Sequence, residues 1–274
     1  MDLGIFSRTW ENMNYPEIFK EMHKRNIHKT QFKMSCAGYP TIPSSYEDST
    51  IERIKNESKN NDVDIIAISG TFNLVDPEEK RLHENIKHFK ILCEIANELN
   101  VPIISLCTGT KNRENMWKFH PDNNTQEVWK EMSHNLEKIL KYAEKYNVIL
   151  GIEPEISNVV NSALKGRKLL DHMNNEYLKI IMDGANLFEP GNVEKMQEVL
   201  KEAFSLLGND IVLAHAKDFI CKDKISYVAP GKGILDYDLY ISLLKKNNYN
   251  GPLVMHGLSP DEICESIRFL KEKM

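Results

Sequence analysis

The chain contains no CxxC pair. Its five cysteines, Cys36, Cys93, Cys107, Cys221 and Cys264, are scattered over 274 residues, which suggests neither a disulfide framework nor a thiolate zinc site, and reduced thiols are the expectation. Long apolar runs are missing as well: none approaches the roughly 18 to 20 residues needed to span a bilayer. Met1-Asp2-Leu3 leads directly into a strand-like run instead of a charged and then apolar leader, so a cytoplasmic protein with no membrane partner is expected. No glycine-rich phosphate fingerprint follows any apolar run, which argues against a dinucleotide or nucleoside triphosphate fold. Basic residues are outnumbered, 35 Lys and Arg against 40 Asp and Glu, for a formal net charge of -5. A polyanion would meet no general attraction, and no nucleic acid partner is expected.

What the chain does have is material for one large core. With 41% hydrophobic residues, it fits a single α/β domain over residues 1–274 better than two small ones. Eight short β-branched or apolar runs recur: LGIF (3–6), HKTQFKM (28–34), VDIIAIS (63–69), VPIISLC (101–107), NVILGIE (147–153), LKIIMD (178–183), IVLAHAK (211–217) and PLVMH (252–256). Amphipathic helical patterns fill the gaps at 15–25, 50–60, 126–146, 162–173, 193–207 and 238–247. Asp76-Pro77-Glu78-Glu79 and Ser259-Pro260-Asp261-Glu262 open two more, each with a capping residue, a proline in the first turn and acids at the positive end of the helix dipole. Eight strands each followed by a helix predict a closed (β/α)8 TIM barrel. Periodicity alone leaves an open doubly wound sheet as the alternative. Two connections are longer than a strand needs to reach its helix. Residues 107–126 carry Trp117 and His120 and suit a lid, and residues 217–237 carry Gly231 and Gly233 as flexible points.

Strand parity locates the chemistry. Side chains of a barrel strand alternate between lumen and helix layer. Glu153 shares its face with Gly151 and Ile149, Asp183 with Ile181, His215 with Leu213, and His256 with Val254. Four consecutive strands therefore finish in Glu, Asp, His and His. One such residue is more often a helix cap or a satisfied polar group; four in succession point to one divalent metal ion. Carboxylate oxygens with imidazole nitrogens suit Mn, Co, Zn or Fe better than Mg. Around them, Lys217 is in a position to hold a substrate oxygen or phosphate, or simply caps its strand. Asp218 orients a neighbour or caps its loop, and Glu155 supplies a second acid or base or is a solvated loop carboxylate. Arg8 faces the mouth or pairs outward, and Trp117 stacks on a sugar ring or packs in the core.

The stretches ILGIEPE, IIMDGANLF, VLAHAKD and PGKGILDYDLYISLLKKNNYNGPLVMHG resemble the xylose isomerase-like (AP endonuclease family 2) barrels of sugar isomerases and epimerases. The likeness covers most of the chain and is most specific from the fifth run onward. It implies a small-molecule sugar or polyol substrate, a possible homo-oligomer, and a metal held by Glu, Asp, His and Glu, with Glu153, Asp183 and His215 in the first three places. Two departures stand out: His256 occupies the place of the second glutamate, and Asn186 stands where several epimerases have histidine. A ligating glutamate can still use its free oxygen as a base, whereas the second nitrogen of a ligating imidazole points outward. Inversion by two opposed glutamates is therefore not expected. One-base chemistry survives, with Glu153 removing the proton alpha to a polarised carbonyl and returning it to the next carbon, and Lys217 assisting: an aldose–ketose isomerase or epimerase-type enzyme. The alternatives are a barrel that binds sugar and metal without turnover, and a metal-assisted lyase or hydrolase acting on a polyol derivative. A DNA-repair phosphodiesterase would need further His, Asp and Glu ligands and a basic groove, and the sequence offers neither.

Overall fold

Parallel strands covered by helices on one side and a packed lumen on the other are buried on both faces, which is why the eight apolar runs are short and rich in Ile, Leu and Val. In the computed structural model, which describes residues 1–274, these runs become β1 (Leu3–Phe6), β2 (Lys29–Phe32), β3 (Asp64–Ser69), β4 (Ile103–Leu106), β5 (Ile149–Ile152), β6 (Leu178–Asp183) and β7 (Ile211–Ala216). The eighth barrel strand is β10 (Leu253–Met255), because the short strands β8 (Asp218–Cys221) and β9 (Ile225–Val228) intervene. The ring closes through parallel pairing of β1 with both β2 and β10, so the barrel is closed and the open sheet is excluded.

Eight helices surround it: α1 (Tyr15–Lys24), α2 (Asp48–Asn60), α3 (Glu79–Glu98), α4 (Gln126–Tyr146), α5 (Ala163–Met173), α6 (Met196–Leu207), α7 (Tyr237–Lys246) and α8 (Ile263–Lys273). Side-chain caps start several of them. Asn14 and Glu17 form a capping box on α1, and Thr125, Ser162 and Asp236 cap α4, α5 and α7. Ser259 and Glu262 form the expected box ahead of α8. Asp76 behaves differently from a simple cap. One oxygen accepts from the Glu78 N–H and the carboxylate also grips Arg81, and α3 begins at Glu79, the last residue of the acidic stretch.

The connection from 217 to 237 is not the flexible loop that its glycines suggest. It folds into the antiparallel β8–β9 hairpin and is pinned at its base by Asp218. The Asp218 carboxylate accepts four backbone N–H groups, from Phe219, Gly231, Gly233 and Leu235. A Cβ at Gly233 would lie 2.2 Å from Asp218 Oδ1, so this glycine serves close approach. The connection from 107 to 126 is anchored by buried Asn123, which bonds the Thr110 hydroxyl, the Lys111 N–H and the Ser157 carbonyl.

Inside the barrel, Phe6, Ala67, Ile103, Ile181, Leu213 and Val254 form a small core of their own, separate from the larger core between strands and helices. This plug lies under the strand ends that carry the polar residues, and strand parity predicts it: Ile181, Leu213 and Val254 each sit two residues before Asp183, His215 and His256. Gly151, two residues before Glu153, leaves room for Ile181; a Cβ there would come within 2.7 Å of Ile181 Cγ1. Replacing Gly151 with alanine should therefore overpack the lumen and cost about 1–3 kcal/mol, a fall in melting temperature of roughly 2–4 °C per kcal/mol for a chain of this size. Gly191→Ala, where an added Cβ meets nothing within 4 Å, should melt with the unmodified protein. Equal melting of all three would contradict the packing described.

Candidate metal centre

The polar strand ends meet because neighbouring strands are brought into a particular register. Between β6 and β7 the pairing slips by one residue at Ile180/Ile181, and beyond the slip Asp183 lies directly beside His215. The buried Tyr240 hydroxyl lies 2.9 Å from the Met182 carbonyl and 3.0 Å from the His215 carbonyl, tying the two strand ends together. Glu153 is the residue after β5, held to β4 through its N–H and the Leu106 carbonyl. One potential ligand atom from each of Glu153, Asp183 and His215 falls within a span of 4.8 Å. His215 Nδ1 is 3.5 Å from Glu153 Oε1 and 3.7 Å from Asp183 Oδ2.

These atoms fit a divalent cation. His215 Nδ1 is buried without a hydrogen-bond partner, an arrangement that folded proteins seldom tolerate, and Asp183 Oδ2, paired with the Lys217 ammonium at 3.0 Å, lies 3.7 Å from it. Two carboxylate oxygens and an imidazole nitrogen form a donor set suited to a borderline divalent metal. His256, the expected fourth ligand, is not among the converging group. Its ring lies face to face with that of His215, centroids 5.2 Å apart and planes 8° apart, and its other side is stacked on Phe6 at 5.3 Å. Lone pairs lie in the plane of an imidazole, so two parallel stacked rings aim along parallel planes and do not converge on one ion. His256 instead braces His215. Burial, followed by the nearby Lys217 and His215 charges, pushes the His256 pKa well below its ordinary value, keeping the ring neutral.

A charge network joins the centre to Lys217. The ammonium sits 3.0 Å from Asp183 Oδ2, donates to Asn186 Oδ1 at 2.5 Å, and lies 4.0 Å from the centroid of the Tyr227 ring on β9. Asn186 completes the bridge by donating from Nδ2 to Glu153 Oε1 at 2.5 Å. Burial would favour a neutral Asp183, but Lys217 and His215 overcome it and hold this carboxyl well below the carboxylate range. Burial likewise opposes charge on His215, and Glu153 and Asp183 overcome it, raising the imidazole to about 9. Lys217 is raised in the same way, against burial, by Asp183 and Glu153.

A cavity of about 690 Å³ opens above the centre, its wall including Glu153, Glu155, Asn186, His215, Lys217 and Trp117. Arg8 stands at its rim, bonded to Glu11 at 2.7 Å and half exposed. Trp117 is 47% exposed, at the cavity edge and not in the core. Glu155 departs from the solvated-loop expectation: it is 6% exposed, and its Oε2 accepts from Ser157 N–H and Asn158 Nδ2. Asp218 is absent from the cavity wall, since backbone N–H groups occupy both its oxygens. The sequence reading missed Gln31, Ser105 and Tyr227, all of which line the cavity. A glutamine inside the second apolar run was a signal for the first; nothing in the sequence marked the hairpin that delivers Tyr227.

The model of the xylose isomerase-like TIM barrel family matches residues 30–273. Among curated proteins, one named inosose dehydratase from Clostridium perfringens (strain 13 / Type A) is 22% identical, over 99% of this chain and 97% of its own. The solved structure of the 3-keto-D-glucoside 4-epimerase YcjR from E. coli superposes with a TM-score of 0.75 at 18% identity, covering 99% of both chains. That of the IOLI protein with a bound zinc atom gives 0.73 at 19% identity, covering 100% of this chain and 96% of that one.

Burial pushes the Glu155 carboxyl from an ordinary 4.5 up to about 7. A pKa that is higher in the folded state means that stability from this group is complete below about 4.5 and is lost as the pH rises through about 7. At roughly 1.4 kcal/mol per unit, the loss is on the order of 3 kcal/mol. In metal-free protein, Glu155→Gln retains an acceptor for Ser157 and Asn158 and removes the charge. It should unfold at higher urea than the unmodified protein at pH 8 and lose the advantage at pH 4; equal midpoints at pH 8 would mean that the carboxylate is ionised without penalty.

Proposed function

The chain belongs to the xylose isomerase-like TIM barrel family, and on that premise we propose that it is a divalent-metal-dependent enzyme acting on a small polyol that carries a ketone, with Glu153 as the base that takes the proton alpha to the carbonyl. The observation that carries the reading is the convergence of Glu153, Asp183 and His215, with the buried His215 Nδ1 left without a hydrogen-bond partner. A divalent cation bound there supplies Lewis acidity, polarising a carbonyl oxygen and acidifying the adjoining C–H. Glu153 faces the cavity and is held in place by Asn186, so its carboxylate is oriented before substrate arrives. Lys217 offers positive charge close to the same place, where negative charge develops on the substrate.

The second half of the reaction is best supported as loss of water. Glu155 is a buried carboxyl on the same cavity wall that keeps its proton to about pH 7, the property required of a group that protonates a departing hydroxyl. Glu153 takes the alpha proton, the electron pair of that C–H bond becomes the new carbon–carbon double bond, the beta C–O bond breaks, and the hydroxyl leaves as water with the Glu155 proton. Solvent exchange then returns both carboxyls to their starting states. A cyclic polyol ketone of the inosose type has the required alpha hydrogen and beta hydroxyl, and the curated relative named inosose dehydratase supports that substrate class. Aldose–ketose isomerisation uses the same first step and returns the proton to the neighbouring carbon; the imidazole at position 256, stacked on His215, supplies no second glutamate base and favours such one-face chemistry over two-base inversion.

Metal-loaded protein in D2O with inososes and a panel of free ketoses should exchange hydrogen alpha to the carbonyl and, with the inosose, generate enone absorbance. Glu153→Gln should lower exchange by about a hundred- to ten-thousand-fold. Glu155→Gln should keep exchange while suppressing enone formation. Absence of exchange with every compound, in protein shown to hold its metal, would remove the reading; a ketose converted to aldose without water loss would assign isomerisation instead.

A further inference from the structure

We propose that Gln31 is a positioning residue for the metal centre, selecting the tautomer of His215 that presents Nδ1 to the ion. The inference rests on the reading that Glu153, Asp183 and His215 hold a divalent cation. Gln31 lies on β2 beside Phe6 of β1 and shares its lumen-facing side. The buried Gln31 amide reaches across the mouth to His215 on β7, with β1 and β10 between them in the ring. Its Oε1 is 2.7 Å from His215 Nε2, and its Nε2 donates to the Ser105 hydroxyl at 2.9 Å.

The chemistry follows from what each atom can do. An amide oxygen only accepts, so the neutral imidazole opposite it carries its proton on Nε2 and its lone pair on Nδ1. Nδ1 is the atom that faces Glu153 and Asp183 and has no hydrogen-bond partner. With the amide reversed, its NH2 group would oppose Nε2, the proton would move to Nδ1, and the ligand position would be blocked. Ser105 accepts the amide N–H and anchors the far side of the amide against His215. Phe6 and His256 stack along the same arc and fix the plane of the ring from its face, while Gln31 fixes its edge.

The test is Zn2+ binding by the full-length protein, measured by chelator competition, together with two-bond 1H–15N spectra of the histidine rings in the zinc-loaded state. Gln31→Met, similar in size and without an acceptor, should weaken Zn2+ binding by roughly 10–100-fold. Gln31→Glu, whose carboxylate also only accepts, should restore affinity to within a few fold. Ser105→Ala should give a smaller loss than Gln31→Met, and it stands in for that variant should it fail to fold. The unmodified protein should show His215 bound through Nδ1 with a protected proton on Nε2, and Gln31→Met should lose that protection while melting normally in chelator. A folded Gln31→Met protein that binds Zn2+ as tightly as the unmodified one, with the same imidazole spectrum, would overturn the proposal. Failure of the unmodified protein to bind any of Zn2+, Co2+ or Mn2+ would instead overturn the metal reading on which it rests.

Discussion

Two carboxylates held inside the mouth of a closed barrel, Glu153 and Asp183, impose the constraint from which the rest of the site follows. A buried charge without a partner is among the most destabilising features a fold can carry, and removing one partner from a buried pair costs about 3–5 kcal/mol. Asp183 is 1% exposed and meets this demand with Lys217 at 3.0 Å. Lys217 then needs further contacts of its own, which Asn186 and the Tyr227 ring supply. Asn186 transmits the arrangement to Glu153. Even so, the buried His215 nitrogen that faces both carboxylates stays without a hydrogen-bond partner, and Glu153 and Asp183 pull the imidazole pKa upward. Two carboxylates converging with one such nitrogen form a donor set that a divalent cation fits.

The barrel and the convergence of Glu153, Asp183 and His215 were legible in the sequence because both depend on local periodicity. Apolar runs of four to eight residues separated by helical patterns encode the ring, and period-two alternation encodes which strand ends face the lumen. Glu153, Asp183 and His215 obey that alternation, with the lumen residues Ile181 and Leu213 lying beneath the last two. His256 obeys it too, and still does not join the three. Parity specifies the face on which a side chain lies, but the direction of a ring depends on what stacks against it, and Phe6 comes from the opposite end of the sequence while His215 comes from the neighbouring strand β7. Gln31 was overlooked for a related reason: a glutamine in a short apolar run gains meaning only from its partners, and His215 and Ser105 lie far away in the sequence. Asp218 looked like a site residue because it follows Lys217, yet its four bonds are all to backbone groups that come together only once the hairpin has formed.

Replacing a carboxylate by imidazole at position 256 changes the site in charge as well as geometry. With Glu153 and Asp183 ionised, a divalent cation is balanced by its ligands, and Lys217 leaves the assembly with a net positive charge. A third carboxylate would cancel that surplus. On the proposed reading, that positive balance would favour substrate states in which an oxygen gains negative charge, the common feature of reactions that begin by removing a proton next to a carbonyl. Neutral His256 contributes a flat surface beside His215 where a glutamate would have contributed a charge and a second base.

The two long connections convert this centre into a bounded chamber. The one that follows β4 is anchored by Asn123 at its base and carries Trp117 to the rim, while the β8–β9 hairpin, anchored by Asp218, carries Tyr227 over the Lys217 ammonium. The aromatic contact is more than packing, because an ammonium held over a ring face is stabilised by the ring's quadrupole and loses water on that side. The hairpin is thereby coupled to the charge network: moving Tyr227 away would expose Lys217 to solvent, weaken its hold on Asp183, and loosen the bridge through Asn186 to Glu153. On the proposed reading, substrate would meet a base, Glu153, whose orientation depends on the hairpin through Lys217 and Asn186.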